Sequence, residues 1–323
     1  MALVIVDHDR GTLDELSLQA VTFARGLAEQ AGESLDALVV GEAGRDAASS
    51  LGAYGVQTVH LAVHPGLTDY APAATARAAV QLAEQLGTKS VVAVGSDRGN
   101  EVIAHVGAIL DLPVAADCLD VNLGDPTELH RARWGGNIVE TALLHAPVAV
   151  ASVVPHAVAA EAVGGDASVV DFTPEFGATD LQAIVVDRTG EEDGGGVSLA
   201  EAKVIVSGGR GVGGSEGFAP LDELAALLGG AVGCSRVVTS AGWRPHSEQV
   251  GQTGTKVSPD LYLACGISGA TQHLAGCKTS KNIVVINNDK DAPIMAYADY
   301  AIIGDLHTIL PAVVAETRKA LNA

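Results

Sequence analysis

The sequence has 323 residues, 48% of them hydrophobic, and a formal net charge of −20 at pH 7. This length and hydrophobic content suffice for two ordinary cores, so about two domains are expected. The negative charge argues against binding to nucleic acid or to an anionic membrane surface, because both would repel it. No apolar run reaches the roughly 18 to 20 residues of a membrane-spanning helix, and the N-terminal MALVIVDHD lacks the basic region of an export signal. We therefore expect a cytoplasmic protein that is not membrane-embedded.

The cysteines give no sign of a metal site or a disulfide. They form no CxxC pair, and none has a histidine at ligand spacing; they are Cys118, Cys234, Cys265 and Cys277. Structural free thiols are the interpretation we adopt.

The first half of the chain alternates strand and helix patterns. Short runs rich in β-branched residues begin near Leu3, Leu35, Val56, Ser90 and Val148. Between them, Ala and Leu recur at helical spacing in SLQAVTFARGLAEQAG, RDAASSLGAYG, TARAAVQLAEQLG and EVIAHVGAILDL. This alternation predicts an α/β domain over residues 1–190, in which helices cover both faces of a doubly wound, mostly parallel sheet.

A change in composition predicts the domain border. The segment DRTGEEDGGGVSLAEA carries clustered acids and consecutive glycines, which resist both helix and strand. The border is placed near 188 to 200, with a linker at 191–202 and a second α/β domain at 203–323.

Three glycines early in the second domain match a dinucleotide fingerprint. Gly209, Gly211 and Gly214 satisfy GxGxxG directly after the strand pattern KVIVS. An orthodox Rossmann site requires an acidic residue at the end of the next strand, which binds a ribose hydroxyl. That strand, near Arg236 to Ser240, ends in Ser-Ala-Gly. A nicotinamide-dependent dehydrogenase using this loop is therefore kept only as an alternative.

Polar loops follow each apolar run of the second domain. They are SGGRG, CSR, VGQTG, SGATQH, the asparagine after IVVI and the aspartate after AIIG. Ligands of open α/β sheets bind beyond the carboxyl ends of the strands, so these loops are expected to converge on one crevice. Each alone could be a turn capped by its own side chain. Together they favour a phosphate-bearing dinucleotide.

These loops, in this order and at these separations, resemble the alpha subunit of the electron transfer flavoproteins. The similarity is dense from about 203 to 310, where SPDLYLACGISGATQHLAG and INNDKDAPI stand, and it is looser before. Further landmarks are LPVAAD, at Leu112 to Asp117, and RARWGGN, at Arg131 to Asn137. The resemblance implies a C-terminal domain that binds FAD in extended form and is not an orthodox GxGxxG site.

The resemblance also implies individual roles. Arg236 would lie by the isoalloxazine ring and stabilise its reduced anion, Thr253 would bond near flavin N5, and a protonated or donating His273 would face the pyrimidine edge. The implied cofactor-binding set is Arg210, Ser235, Arg236, Gln249, Val250, Gly251, Gln252, Thr253, Gly254, Ser268, Gly269, Ala270, Thr271, Gln272, His273, Asn287 and Asp305.

The implied function is electron carriage, with no catalytic residue and no metal required from the chain. FAD would accept electrons from flavoprotein dehydrogenases, or from NADH through a partner, and pass them to a membrane quinone oxidoreductase or another acceptor. The first domain would pack on a separate beta subunit in a heterodimer. A nucleotide-binding regulatory module, which the first domain alone could support, is the other alternative.

Overall fold

The computed structural model describes residues 1–185 and 197–321. The chain divides into two compact units, Met1–Thr189 and Gly190–Ala323, and each is described by itself. The first half of the predicted linker at 191–202, residues 191–196, lies outside the described residues.

The first unit is built on a nine-stranded sheet with a small separate hairpin. Its strands are β1 Ala2–Val6, β2 His8–Asp9, β3 Thr12–Leu13, β4 Leu35–Val40, β5 Thr58–Ala62, β6 Ser90–Val94, β7 Val114–Asn122, β8 Thr127–Arg133, β9 Ile138–Leu144, β10 Ala149–Val153 and β11 Ser168–Phe172. Its helices are α1 Glu15–Ala31, α2 Arg45–Ala48, α3 Pro72–Leu86 and α4 Asp97–Leu110, with 3₁₀ turns at Glu42–Gly44 and Ser49–Tyr54.

The strand order of the large sheet is β11-β5-β4-β1-β6-β10-β7-β8-β9. The strands pair in parallel from β11 to β7, while β7, β8 and β9 pair antiparallel. The apolar runs of the sequence form the central strands, and every residue of β1, β6 and β10 is buried. A mostly parallel α/β sheet is thus confirmed for the first unit.

The residues at the two ends of α1 explain why this helix could be predicted from the sequence. The Asp14 carboxylate accepts hydrogen bonds from the backbone N–H groups of Leu16 and Ser17, and Gly32 closes the helix in a left-handed conformation. RDAASSLGAYG was expected to be one helix. It forms instead the four-residue α2 followed by the 3₁₀ turn Ser49–Tyr54.

The antiparallel strands β8 and β9 were not predicted from the sequence. The segment TELHRAR of β8 has only two buried residues, so it lacks the apolar run that marked the parallel strands. Both family landmarks of the first unit lie in the antiparallel part of the sheet. LPVAAD leads into β7, and RARWGGN forms the end of β8 and the turn to β9.

The second unit has a five-stranded sheet, all parallel. Its strands are β12 Val204–Gly208, β13 Ala231–Cys234, β14 Leu261–Cys265, β15 Ile283–Asn287 and β16 Tyr300–Ile303. Its helices are α5 Ala219–Leu227, α6 Arg236–Ser240, α7 Thr271–Cys277 and α8 Leu306–Leu321, with 3₁₀ turns at Arg210–Val212, Ser215–Phe218, His246–Glu248 and Pro293–Tyr297. The strand after β12 was expected near Arg236 to Ser240, which was wrong: that segment is a helix, and the strand ends before it, at Cys234.

The order β13-β12-β14-β15-β16 is that of a doubly wound sheet. One buried cluster joins the sheet to α5 and α8, through residues such as Leu224 and Leu310. A second cluster joins it to α7 and the Pro293–Tyr297 turn, through Leu274 and Ile294. The direction of strand addition reverses between β12 and β14, and a crevice is expected at that point.

Candidate functional site

A cavity of about 480 Å³ opens where the chain leaves the carboxyl ends of β12, β13 and β14. This is the point of reversal in the strand order, where open α/β sheets bind their ligands. The residues that line it are Arg210, Ser235, Arg236, Val237, Ser240, Gln249, Val250, Gly251, Gln252, Thr253, Gly266, Ile267, Ser268, Gly269, Ala270, Gln272 and His273.

Two glycines hold the loops after β12 and β14 tightly together. The backbone N–H of Gly209 donates to the carbonyl of Cys265 at 2.9 Å, and that of Gly211 donates to the carbonyl of Gly266 at 3.0 Å. A Cβ atom on Gly209 would stand 2.3 Å from the Gly266 oxygen. The GxGxxG match is therefore explained by close packing of two loops, which requires no pyrophosphate.

Arg210 and Arg236 supply positive charge at the cavity. Both side chains are exposed, and neither forms an ion pair with any residue in 1–185 or 197–321. In a chain of net charge −20, several other cations of this unit pair with neighbouring acids: Arg244, Lys281, Arg318 and Lys319. Two guanidinium groups free of acids suit a ligand that carries negative charge.

Thr253 is held by the buried amide of Gln249. The Gln249 Nε2 atom donates to the Thr253 carbonyl at 3.0 Å and to Thr253 Oγ1 at 3.1 Å. The Thr239 hydroxyl donates to Gln249 Oε1 at 2.6 Å. Because Thr253 Oγ1 accepts from the amide, its own hydrogen is left to be donated elsewhere.

His273 lies in the wall of the cavity, near the start of α7. Its Nε2 atom lies 2.8 Å from the hydroxyl of Tyr262, a fully buried residue of β14. Burial lowers the pKa of His273 to about 4, and the Val250 carbonyl opposes this shift in smaller measure. The ring is therefore neutral at pH 7, so of the two forms considered from the sequence only the neutral donor is compatible with this structure.

The structure brings most of the predicted site residues to this one cavity. Four of them do not line it: Gly254, Thr271, Asn287 and Asp305. Four lining residues were missed by sequence reasoning: Val237, Ser240, Gly266 and Ile267. Val237 and Ser240 lie on α6 directly after CSR, so the signal for them was the position of that loop before a helix.

Asn287 and Asp305 have structural partners of their own. Asn287 Nδ2 donates to the Ile267 carbonyl at 2.9 Å, while Asp305 Oδ1 accepts from the His307 N–H at 3.0 Å, just ahead of α8. Asn287 thereby supports the Ile267 loop, and Asp305 caps a helix. Their contact with a cofactor stays a prediction for the far end of an extended ligand.

A smaller cavity of about 110 Å³ lies in the first unit, beyond the ends of β1, β4 and β6. Two of its charged or titratable groups, Asp7 and His8, are already bonded to neighbouring groups. Asp7 pairs with Arg98 at 3.3 Å, His8 Nε2 bonds the Val40 carbonyl at 2.9 Å, and His8 Nδ1 accepts from Gly11. The cavity of the second unit, with its free arginines, is therefore the candidate functional site.

The site fits a flavin or nucleotide cofactor. His273 Nδ1 is buried and has no hydrogen-bond partner in the described part of the chain. At Gly269, φ is +82° and a Cβ would stand 2.5 Å from the Ile294 nitrogen, so the backbone itself forms the surface of the loop. An open doubly wound domain with such a cavity defines the class of cofactor-binding α/β proteins.

Comparison with known families identifies the cofactor and the family more narrowly than the fold does. Residues 2–175 match the family model "Electron transfer flavoprotein domain", and residues 198–278 match "Electron transfer flavoprotein FAD-binding domain". The chain belongs to the electron transfer flavoprotein alpha-subunit family. Its cofactor is accordingly FAD, and its role is in electron transfer.

Relatives match over almost the whole chain. "Electron transfer flavoprotein subunit alpha" of Bacillus subtilis is 36% identical, covering 99% of this chain and 98% of its own. The proteins of the same name from Thermoanaerobacterium thermosaccharolyticum and Mycobacterium leprae are 34% and 36% identical, with at least 96% of each chain covered. No helix among the described residues is long and apolar enough to cross a membrane.

Proposed function

We propose that this chain is the FAD-carrying subunit of a two-subunit electron carrier. When bound, FAD supplies reversible uptake of electrons, and the chain supplies binding, orientation and electrostatics. The observation that carries the proposal is the convergence of free arginines, an oriented hydroxyl and a neutral buried imidazole on one cavity of an FAD-binding domain.

Arg210 and Arg236 attract and hold negative charge. We assign Arg236, the first residue of α6, to the reduced ring, and Arg210, in the loop after β12, to the cofactor's anionic part. A guanidinium keeps its charge at all working pH values, so it favours the reduced anion over the neutral oxidised ring. Both residues are therefore expected to raise the flavin potential.

Thr253 and His273 provide hydrogen-bond donors that carry no charge. The Gln249 amide makes Thr253 a donor, and we assign its hydroxyl to flavin N5. His273, neutral because it is buried, is assigned to the pyrimidine edge. Ser268, Gly269, Ala270 and Gln272 would contact the ribityl and pyrophosphate part, with Gly251 and Gln252 beside them.

The first unit offers a surface for the beta subunit. On β9 and the turn before it, Trp134 is 80% exposed, and Ile138, Val139 and Leu143 are also exposed. An apolar surface on the last strand of a sheet marks an interaction site, because water-exposed clusters of this kind are uncommon. We assign it to the beta subunit that the family implies, which gives a heterodimer.

The donors are proposed to be flavoprotein dehydrogenases, or NADH acting through a partner, and the acceptor a membrane quinone oxidoreductase or a similar protein. These contacts are transient, and we place the complex in the cytoplasm. No side chain of the site has to act as nucleophile or general base, since electrons pass to and from the cofactor.

Purification of the chain together with its beta subunit tests this proposal. We expect a yellow complex that releases FAD on denaturation and is reduced by a reduced dehydrogenase. A double variant of Arg210 and Arg236 to Ala should lose FAD, while Lys281→Ala, which removes an exposed cation paired with Asp260, should retain it. A colourless complex that binds NADH would support the dehydrogenase alternative and contradict the carrier.

A further inference from the structure

Tyr262 and His273 form a buried polar pair behind the cavity. Tyr262 is fully buried on the central strand β14, and its hydroxyl lies 2.8 Å from Nε2 of His273, which is itself buried in α7. Tyr262 does not line the cavity, whereas His273 does. Any influence of the tyrosine on a ligand must therefore pass through the imidazole.

The direction of this hydrogen bond follows from the chemistry of the two groups. A neutral imidazole has one nitrogen that donates and one that accepts. The Tyr262 hydroxyl also has the Ser207 hydroxyl and the Cys277 thiol as neighbours. A phenol donates readily, and an sp² ring nitrogen is a better acceptor than a hydroxyl or a thiol, so we infer that Tyr262 donates to Nε2. With Nε2 accepting, the proton of the neutral ring is on Nδ1, the nitrogen away from the tyrosine. The Val250 carbonyl also favours a proton on the ring, although it does not meet hydrogen-bond geometry with Nδ1.

Both groups stay neutral. Burial lowers the pKa of His273 to about 4 and raises the pKa of Tyr262 well above its ordinary value. Neither an imidazolium nor a phenolate forms near pH 7, so the pair is a phenol bonded to an imidazole. Nδ1, which has no hydrogen-bond partner within residues 1–185 and 197–321, remains the ring's donor.

We propose that Tyr262 is a positioning residue that fixes His273 in its Nδ1–H tautomer, so that the wall of the flavin cavity contains an imidazole whose N–H is directed away from Tyr262. This inference rests on the proposed function for the presence of the flavin. The hydrogen bond between Tyr262 and His273 is present in the chain without cofactor. Without the phenol, Nε2 loses its donor and the ring is free to take the other tautomer or to turn.

The test is Tyr262→Phe in the full chain, which removes one oxygen from a buried ring. With ¹⁵N-labelled histidine, assigned through the loss of signals in His273→Gln, the flavin-free chain should show His273 as a single Nδ1–H tautomer. In Tyr262→Phe this pattern should be lost in favour of Nε2–H or a mixture. In the FAD-loaded complex the midpoint potential should shift. Tyr300→Phe, at a 69% exposed residue of the same unit, should change neither.

An Nε2–H pattern in the unsubstituted chain, or His273 signals indifferent to Tyr262→Phe, would overturn the inference. So would a potential that stays unchanged in Tyr262→Phe. If this variant fails to fold, all tyrosines can be replaced by 3-fluorotyrosine, which strengthens the phenol as a donor without removing it. His273 signals that do not change on this replacement would then refute the inference. The spectra need no flavin, so a fixed tautomer in a chain that binds no FAD refutes the proposed function separately.

Discussion

Gln249 donates hydrogen bonds from a single nitrogen to both the carbonyl and the hydroxyl of Thr253, at 3.0 and 3.1 Å. A backbone carbonyl only accepts, so it fixes which end of the amide faces Thr253. The opposite end accepts from Thr239 at 2.6 Å. Gln249 was predicted to be a cofactor contact, but its amide is engaged in orienting the threonine that we assign to flavin N5.

Substitution of Gln249 by Glu should reverse this orientation. A carboxylate accepts from the Thr253 hydroxyl, which then turns an oxygen lone pair toward the cofactor. Loss of a donated hydrogen bond together with the added negative charge should lower the flavin midpoint potential by tens of millivolts, equivalent to about 1 to 3 kcal/mol. Spectroelectrochemical titration of the purified complex measures this shift.

The matched control for this substitution is Gln252→Glu. It adds the same charge to the same cavity, whereas the side-chain amide that bonds Thr253 is that of Gln249. Equal shifts in both variants would show that charge alone acts and would contradict the orienting role. A larger shift in Gln249→Glu supports it.

Arg236→Ala should lower the flavin potential by tens of millivolts. A charge-assisted contact to the reduced anion is worth about 1.5 to 3 kcal/mol, and this stabilisation is absent from the oxidised state. Arg236→Lys should keep part of the effect, because it retains the charge without the planar fork. Lys281→Ala serves as the control, and an unchanged potential in Arg236→Ala would remove the assigned role.

Gly209→Ala should destabilise the second unit by about 1 to 3 kcal/mol, the usual range for forced overpacking. Its Cβ would stand 2.3 Å from the Gly266 oxygen, whereas Gly214 has nothing within 4 Å of such an atom and an extended backbone. Gly214→Ala should therefore be tolerated. Urea unfolding followed by Trp243 fluorescence, in a Trp134→Phe background, reports on this unit alone.

If the three glycines instead served a pyrophosphate turn, the two alanine variants would lose cofactor binding with little loss of stability. That outcome would restore the nicotinamide alternative. Unfolding data and flavin content of the same preparations separate the two explanations.

Acid should destabilise the second unit through His273. An unfolded histidine titrates near 6.5, and burial lowers the folded pKa to about 4. Between these values the unfolded chain binds more protons, so stability is lost as the pH falls from 6.5 and the loss levels off below 4. The full effect is about 3 kcal/mol.

The measurement is the free energy of unfolding of the flavin-free chain from pH 4 to pH 7, with Trp243 as the reporter. His273→Gln should flatten the pH dependence, while His307→Gln, which replaces an exposed histidine of α8, should leave it as it was. Equal slopes in all three chains would show that His273 is not buried in a neutral state.

The sequence by itself determined most of the parallel strands, the longer helices of the first unit and the family, but it missed β7 and β11 and misplaced β13. Apolar runs such as ALVIV and IVVIN are long enough and pure enough to indicate buried strands, and the ordered polar loops after them are specific to one family. Four of the six polar loops converge on the cavity because parallel strands end at one edge of a sheet, which chain order alone allowed us to predict, whereas Asn287 and Asp305 do not line it. The strands β8 and β9 escaped prediction because half-exposed antiparallel strands carry no continuous apolar run.

Only the tertiary structure decided what individual side chains do. Gln249 and Thr253 are close in sequence, but the role of the glutamine depends on a third residue, Thr239, brought to it by α6. From the sequence, Tyr262 is only a core residue of a strand. Its hydrogen bond to His273 forms because α7 packs on β14. Protonation and hydrogen-bond direction depend on burial and on partners distant along the chain, and these are fixed only when the elements pack.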